Sequence, residues 1–225
     1  MKPQSAVVQC PAQPIAADVE PPWDVRRAPW TSVQGVRIAC YPWYRSGRKQ
    51  ETVARVCYTS SALHLHFQCE DVHISARRTS LNSDVCNDSC VEFFAAVAED
   101  PGSYFNLEFN CCGTLHLGYG PGREGRRHIT PELAGRIRVS TSVPGPTKEE
   151  STSDRGWSLA AAFPLDVLSA FAEQTICVEP GTVWRANFYR CGGVTDPQYA
   201  CWAPISTPRP DFHRPEYFGR LVFTA

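Results

Sequence analysis

Apolar and polar side chains alternate over many short segments of this chain, as they do in strands with one buried face. In residues 63–70, for example, Leu63, Leu65, Phe67 and Cys69 share one face and polar side chains lie between them. Comparable runs predict strands over residues 52–58, 63–70, 91–97, 104–110, 115–119, 157–163, 184–190 and 221–223. Turn residues rather than long helices separate these runs, so the pattern predicts an all-β fold with an antiparallel β-sandwich, jelly-roll-like in architecture.

The pattern also predicts one short helix and one folded domain. Pro164 suits a first helical turn, and Leu165, Leu168 and Phe171 then recur at three-residue steps on one face. Residues 1–22 hold five prolines and little periodicity, which predicts an extended lead-in that tolerates trimming. The remaining residues, 23–225, are predicted to form a single sandwich domain, because such domains reach roughly 200 to 250 residues without dividing.

Charge excludes some partners. The chain has 22 basic and 23 acidic residues, so no strong field is available to attract nucleic acid or an anionic membrane. The sequence has no apolar run of membrane-spanning length and no visible signal peptide. We therefore expect a monomer with an uncharged partner, and an undecided compartment with the cytoplasm slightly favoured.

The cysteines permit two interpretations. There are eleven, an odd number, and the sequence favours reduced, mostly buried thiols over a partial disulfide network. Cys86, Cys90, Cys111 and Cys112 lack the paired spacing of a zinc knuckle. The pair His64 and His66 supplies only two of the three or four ligands that a zinc site needs, so the sequence favours no metal site.

Five separated sequence segments follow one another along the chain in a characteristic order. They are Asp71 after a predicted strand, the run 88–94 with Glu92, the run 104–110 followed by Gly113, the run 156–164, and the closing stretch 184–223. In this order they resemble family 9 carbohydrate-binding modules over roughly residues 20–223.

The resemblance implies a β-sandwich that binds a sugar without transforming it. In that family two tryptophans hold the sugar, and Glu, Arg and Asn side chains bind its hydroxyl groups. Matched by position, Trp202 resembles the C-terminal tryptophan, Asn187 the strand asparagine and Glu92 the acid of the V-E segment, while Arg190 and Asn110 are weaker matches. Some family members hold calcium ions, so calcium is possible through the resemblance alone, and no other cofactor is expected.

This chain departs from the family at the second ring. The family has a tryptophan just before its V-E segment, whereas residues 84–87 here contain Val85 and Cys86 but no aromatic residue. Trp43 or another ring could replace it from a different loop, the pocket could be shallower, or the fold could have lost its ligand and serve another interaction. His213 lies in a shared stretch and is a further candidate, either for binding or for fixing the last corner of the chain.

The sequence raises one catalytic alternative and one cofactor alternative. Glu92 and Glu108 could form the carboxylate pair of a glycosidase, although no other catalytic motif accompanies them. Haem binding through Met and His is excluded, because Met1 is the only methionine in the chain.

Overall fold

The computed structural model describes residues 8–97, 102–147 and 149–225. Within them lie the strands β1 (Gln9–Pro14), β2 (Gly35–Arg37), β3 (Thr52–Tyr58), β4 (Ala62–Glu70), β5 (Cys90–Ala96), β6 (Tyr104–Asn110), β7 (Leu115–Gly120), β8 (Arg127–His128), β9 (Arg138–Thr141), β10 (Gly156–Pro164), β11 (Val183–Cys191), β12 (Ala200–Cys201) and β13 (Gly219–Phe223). The helices are α1 (Pro131–Ala134) and α2 (Leu165–Ala172), with 3₁₀ turns at Val85–Asn87 and Pro215–Tyr217. None of the described helices is long and apolar enough to cross a bilayer.

The strands form two sheets that share one strand. In the first sheet the order is β8, β7, β6, β5, β11 and β13, and in the second it is β3, β4, β10 and β9. Strand β1 lies between them, next to β13 on one side and β3 on the other. Strand β12 pairs with β11, and β2 pairs with β3.

The inner faces of the two sheets pack together and form the main core. Phe67 of the second sheet meets Phe188 of the first with ring centroids 6.3 Å apart, and Phe109 of the first meets Phe163 of the second at 6.0 Å. These contacts confirm the predicted sandwich. They arise because alternate residues of each strand point to the same side, so each strand contributes one apolar face.

Most predicted elements are confirmed. The eight predicted strands correspond to β3, β4, β5, β6, β7, β10, β11 and β13 to within one or two residues at each end. The predicted helix is α2, which begins directly after Pro164 and buries Leu165, Leu168 and Phe171. The sequence missed β2, β8, β9 and β12, which have between two and four residues each and are too short to show a period.

The lead-in differs from the prediction. Residues 9–14 are extended as expected, but they form β1, which runs parallel to both β13 and β3 and makes the sheet mixed rather than purely antiparallel. Cys10 and Ala12 of this strand are fully buried in the main core. Because β1 joins the two sheets, we expect that removal of residues 9–14 destabilises the fold, contrary to the tolerance of trimming that the sequence indicates.

The outer face of the second sheet is also covered. His64 and His66, which the sequence places on an exposed face, are both fully buried. The chain before β2 lies over them: the Nε2 atom of His66 is 2.9 Å from the carbonyl oxygen of Trp23, and its ring is 5.1 Å from that of Trp30. The histidines are therefore packing residues.

Trp202, which the resemblance implies is a sugar platform, lies in the main core. Its side chain is 8% exposed and its ring lies 5.6 Å from that of Phe188, at an edge-to-face angle. A Cβ at Gly219 would come within 2.6 Å of the ring, so the closing strand packs directly on it. A ring enclosed in this way cannot also offer a face to a sugar.

We expect Ala12→Asp to destabilise the protein by about 3 kcal/mol or more, because it places an unpaired charge in the core at β1. Gln9→Asp, at an exposed position of the same strand, is the control and should change the free energy of unfolding by less than about 0.5 kcal/mol. Urea unfolding of the two variants checks this. Equal stability of both variants would mean that β1 is not part of the folded core.

We expect Trp202→Ala to cost about 3 to 5 kcal/mol of stability, as for other large buried aromatic residues. Trp23→Ala is the matched control, because Trp23 is 41% exposed, and it should cost much less. The free energies of unfolding of the two variants, measured by chemical denaturation, test the assignment. A Trp202→Ala variant that is as stable as the wild type would show that Trp202 is not a core residue and is again a candidate for sugar binding.

Candidate functional site

A buried ion pair determines to which side of the first sheet the side chains of strand β11 point. Arg190 is 1% exposed, and its Nη2 atom donates to Oδ2 of Asp71 at 2.6 Å. Trp157 of the second sheet donates to the same oxygen at 3.0 Å, and the guanidinium lies 5.5 Å from the Trp157 ring centroid. Arg190 therefore points into the sandwich and joins the two sheets, so its predicted role as a sugar ligand does not fit.

Because side chains alternate along a strand, the neighbours of Arg190 point to the outer face of the first sheet. Tyr189 and Cys191 lie there, opposite Glu92 and Cys90 of β5 respectively. Glu108 of β6 is the register partner of Glu92 on its other side. These side chains thus share the middle of the outer face.

A glycine holds the end of β11 against the segment before β5. Gly192 has φ of +74°, and a Cβ there would come within 1.7 Å of the carbonyl oxygen of Asp88. The next amide, Gly193 N–H, donates to that same oxygen at 3.2 Å. Only glycine permits this contact, which aligns Cys191 with Cys90.

A cavity of about 260 Å³ opens on this outer face and is here called the site cavity. It is lined by Cys86, Asn87, Glu92, Glu108, Arg123, Cys191, Tyr199, Pro210, Asp211, Phe212 and His213. Two of the predicted site residues, Glu92 and His213, meet in it.

Three carboxyl groups line the site cavity, and two of them, Glu92 and Glu108, are buried. Burial, and then the charge of Glu108, raise the pKa of Glu92 well above its usual value. Burial also raises the pKa of Glu108, whose Oε1 atom accepts from Asn106 at 2.8 Å. Both groups therefore keep a proton to higher pH than exposed glutamates do, and each can donate as well as accept a hydrogen bond.

His213 is held as a neutral ring. Its Nδ1 atom lies 2.9 Å from the hydroxyl of Tyr104, and the ring is 4.9 Å from that of Phe94. Burial, together with the nearby charges of Arg123 and Arg126, lowers the pKa of His213 to about 3. A neutral imidazole offers one donor and one acceptor, which suits hydroxyl groups.

Aromatic rings form part of the wall. Tyr199 is partly exposed and Phe212 is 8% exposed, and both line the site cavity. Phe212 stacks on the buried Tyr189 with centroids 4.1 Å apart and planes 9° apart. Trp43 lies 5.8 Å from Phe212 and donates from Nε1 to the carbonyl oxygen of Thr207 at 2.7 Å. It does not line the site cavity but lines, with Tyr199, a separate cavity of about 260 Å³.

The structure also locates the departure from the family pattern. Where the family has its second tryptophan, Val85 is fully buried and Cys86 lines the site cavity. The small thiol leaves that side without a ring. The aromatic surface is therefore supplied by Tyr199 and Phe212, neither of which the sequence singled out.

The two asparagines that were predicted to bind the sugar stabilise the local backbone instead. The side chain of Asn187 accepts from the amides of Phe188 and Ala203 and donates to the carbonyl oxygen of Ala203, at 2.8 to 3.0 Å. The Asn110 amide donates to Asp88 at 2.9 Å, and its carbonyl oxygen accepts from the amide of Thr114 at 2.9 Å. Neither lines the site cavity.

Three larger hollows lie elsewhere. One of about 830 Å³ runs beside α2, is wide open and has no aromatic residue in its wall. Another of about 550 Å³ lies on the second sheet and includes the exposed ring of Trp23. A third, of about 330 Å³, is lined by Arg185, residues 203–206 and residues 216–219. None of the three contains a residue that the sequence identified as a binding candidate, so volume alone does not identify the site.

One group of side chains in the described part of the chain could share a metal ion, and its donors do not suit calcium. Calcium takes six to eight oxygen ligands. Among the described residues, the one group of three or more acidic, His or Cys side chains close enough to share an ion is Cys90, Glu92 and Cys191. Two sulfur donors out of three do not suit calcium.

No disulfide is formed by the eleven cysteines in the structure, and most of their side chains are buried, as the sequence predicts. Burial raises the pKa of Cys69 and of Cys57 to about 12, which keeps these thiols protonated and inert. They serve as small apolar core residues.

Similar proteins share this architecture. A crystal structure of a protein from Bacteroides uniformis, for which carbohydrate binding has been proposed, superposes with a TM-score of 0.86 and 27% identity, covering 97% of this chain and all of that one. A carbohydrate-binding module of family 9 from Caldicellulosiruptor kristjanssonii, solved with cellotriose, gives a TM-score of 0.59 at 11% identity over 96% of this chain and 94% of that one. The same kind of module solved with glucose gives 0.63 at 12% identity, covering 96% of each chain.

The sequence comparisons agree with the fold. An extracellular protein of Arthroderma benhamiae is 24% identical over 187 residues, which are 77% of this chain and 78% of that protein. The family model for carbohydrate-binding family 9 matches residues 24–223. The chain therefore belongs to carbohydrate-binding family 9.

Proposed function

We propose that this protein binds a single or terminal sugar residue of a neutral, glucose-type carbohydrate in the site cavity and does not transform it. The observation that carries the proposal is the combination in one cavity of two aromatic rings with Glu92, Glu108 and His213. Rings suit the C–H face of a pyranose, and directional polar groups suit its hydroxyls. Relatives of the same fold that were solved with glucose and cellotriose support this class of ligand.

The size of the cavity supports one sugar ring rather than several. Its volume of about 260 Å³ lies below the roughly 300 to 1,000 Å³ of pockets that enclose drug-sized ligands. A longer chain would extend into solvent beyond the mouth. We therefore propose that a free sugar or a chain end is bound, and that chain interiors bind less well.

Charge supports a neutral ligand. Arg123, the one basic side chain at the wall, donates to Asp211 at 3.0 Å and is thereby compensated. The other two acids at the wall, Glu92 and Glu108, offer no positive charge and would repel a uronic acid or a phosphate whenever they ionise. Neutral sugars avoid that cost.

The placement of the carboxyl groups argues against hydrolysis. A glycosidase needs two carboxyl groups that flank the glycosidic bond at a separation set by its mechanism. Glu92 and Glu108 are register partners on neighbouring strands and project from the same sheet face. They approach a sugar from one side, which suits hydrogen bonding to adjacent hydroxyl groups.

We expect glucose and cellotriose to bind with similar affinity, and Tyr199→Ala to weaken both by roughly thirtyfold. A ring that buries on the order of 80 Å² against a sugar contributes about 2 kcal/mol at about 25 cal/mol per Å². We expect Glu92→Gln to weaken binding by roughly tenfold, because one hydrogen bond with a buried acid is lost. Isothermal titration calorimetry with both ligands, in the presence of a chelator, measures these changes.

The control is Asp166→Asn, at an exposed position of the larger hollow beside α2, which should bind as the wild type does. Product release from cellotriose is followed in the same samples. If binding survives Tyr199→Ala and Glu92→Gln but is lost in Asp166→Asn, the sugar binds in the hollow beside α2 and not in the site cavity. Release of glucose from cellotriose would show that the protein is an enzyme. The expected monomer is checked by light scattering in the same buffer.

A further inference from the structure

We propose that Cys90, Cys191 and Glu92 form a binding site for a thiophilic divalent cation of the zinc class, at the floor of the site cavity. This site shares Glu92 with the proposed sugar site, but the proposal of sugar binding does not require the metal. Its ligands come from two neighbouring strands, and one candidate donor atom of each residue lies within 4.8 Å of the other two.

The sheet sets the geometry. Cys90 and Cys191 are register partners of the antiparallel pair β5 and β11, and Glu92 follows Cys90 two residues later on the same face. A tetrahedral zinc site with bonds of about 2.3 Å to sulfur and about 2.0 Å to oxygen separates its donor atoms by about 3.5 to 3.8 Å. Shifts of about 1 Å would bring the donor atoms from their present separations to these values. Glu92 Oε1 already lies 2.8 Å from the Cys191 sulfur.

The charges are complementary to a cation. Glu92 is 3% exposed, and among the described residues it forms no ion pair with Lys, Arg or His within 4.0 Å. The ionised form of Glu92 would be costly in this position, and a cation that displaced its proton would offset the desolvation. Two thiolates and one carboxylate form the donor set that zinc accepts and calcium does not.

The backbone of both cysteines is held from the opposite face. Arg190 donates from Nη1 to the carbonyl oxygens of Cys191, at 2.6 Å, and of Cys90, at 3.2 Å. The same guanidinium is anchored by Asp71. The two sulfurs are therefore presented by rigid strands, as precise metal sites require.

Three protein ligands leave one coordination position open. Glu92 and Cys191 both line the site cavity, so the open position faces it and can take a water molecule or a ligand oxygen. The sequence did not indicate this site, because Cys191 lies 99 residues after Glu92 and neither cysteine belongs to a paired motif.

The test is a titration of the reduced protein, stripped of metal with a chelator that is then removed, with Co²⁺ as the spectroscopic probe. We expect one equivalent to bind, with thiolate-to-cobalt charge transfer and the d–d bands of tetrahedral cobalt, and Zn²⁺ to displace it. Cys90→Ser, Cys191→Ser and Glu92→Gln should each weaken binding by at least tenfold. Cys177→Ser, at the exposed cysteine, is the control and should leave the spectrum unchanged.

Circular dichroism of each variant separates loss of the site from loss of the fold. Glu92→Gln is the mildest of these substitutions, because glutamine has nearly the same shape as glutamate. Binding without saturation overturns the proposal, as does a wild-type spectrum in both cysteine variants. A Cys90–Cys191 disulfide in protein purified without added oxidant, detected by mass spectrometry, overturns it as well. Failure of the cobalt titration leaves sugar binding untouched, because that is measured with a chelator present.

Discussion

The contact of Arg190 with Asp71 and Trp157 determines how this sandwich presents its site. It joins the first sheet to the second in the core, and among the described salt bridges it is the one whose two partners are both buried. Removal of one partner from such a pair typically costs about 3 to 5 kcal/mol, because the other charge is left buried and unpaired. A slip of β11 by one residue would turn Arg190 outward and Cys191 inward, so the same contact that joins the sheets also keeps Cys191 at the site cavity.

Much of the fold could be predicted because its signals are local. The alternation in residues 52–70 predicts β3 and β4 closely, and Pro164 with the three-residue spacing after it predicts α2. The role of β1 could not be predicted in this way. Its prolines indicate an extended chain but do not indicate partners, and its partner β13 lies at the other end of the sequence.

The candidate site was predictable only in part, for a related reason. Glu92 belongs to a contiguous segment and its position could be transferred from the family resemblance. Trp202 could not be assigned correctly, because the sequence shows an aromatic residue near a strand end but not the closing strand that packs on its ring at Gly219. Tyr199 and Cys191 belong to no local motif. They lie near Glu92 because β11 pairs with β5, which is about a hundred residues earlier in the sequence.

The measurement that tests the account most directly is a titration of ¹⁵N-labelled protein with glucose, followed by two-dimensional NMR. We predict that the largest shifts fall on Cys86, Asn87, Glu92, Tyr199 and residues 210–213, which line the site cavity. Shifts concentrated beside α2, or around Trp23 on the second sheet, would place the sugar in another hollow and contradict the proposed site.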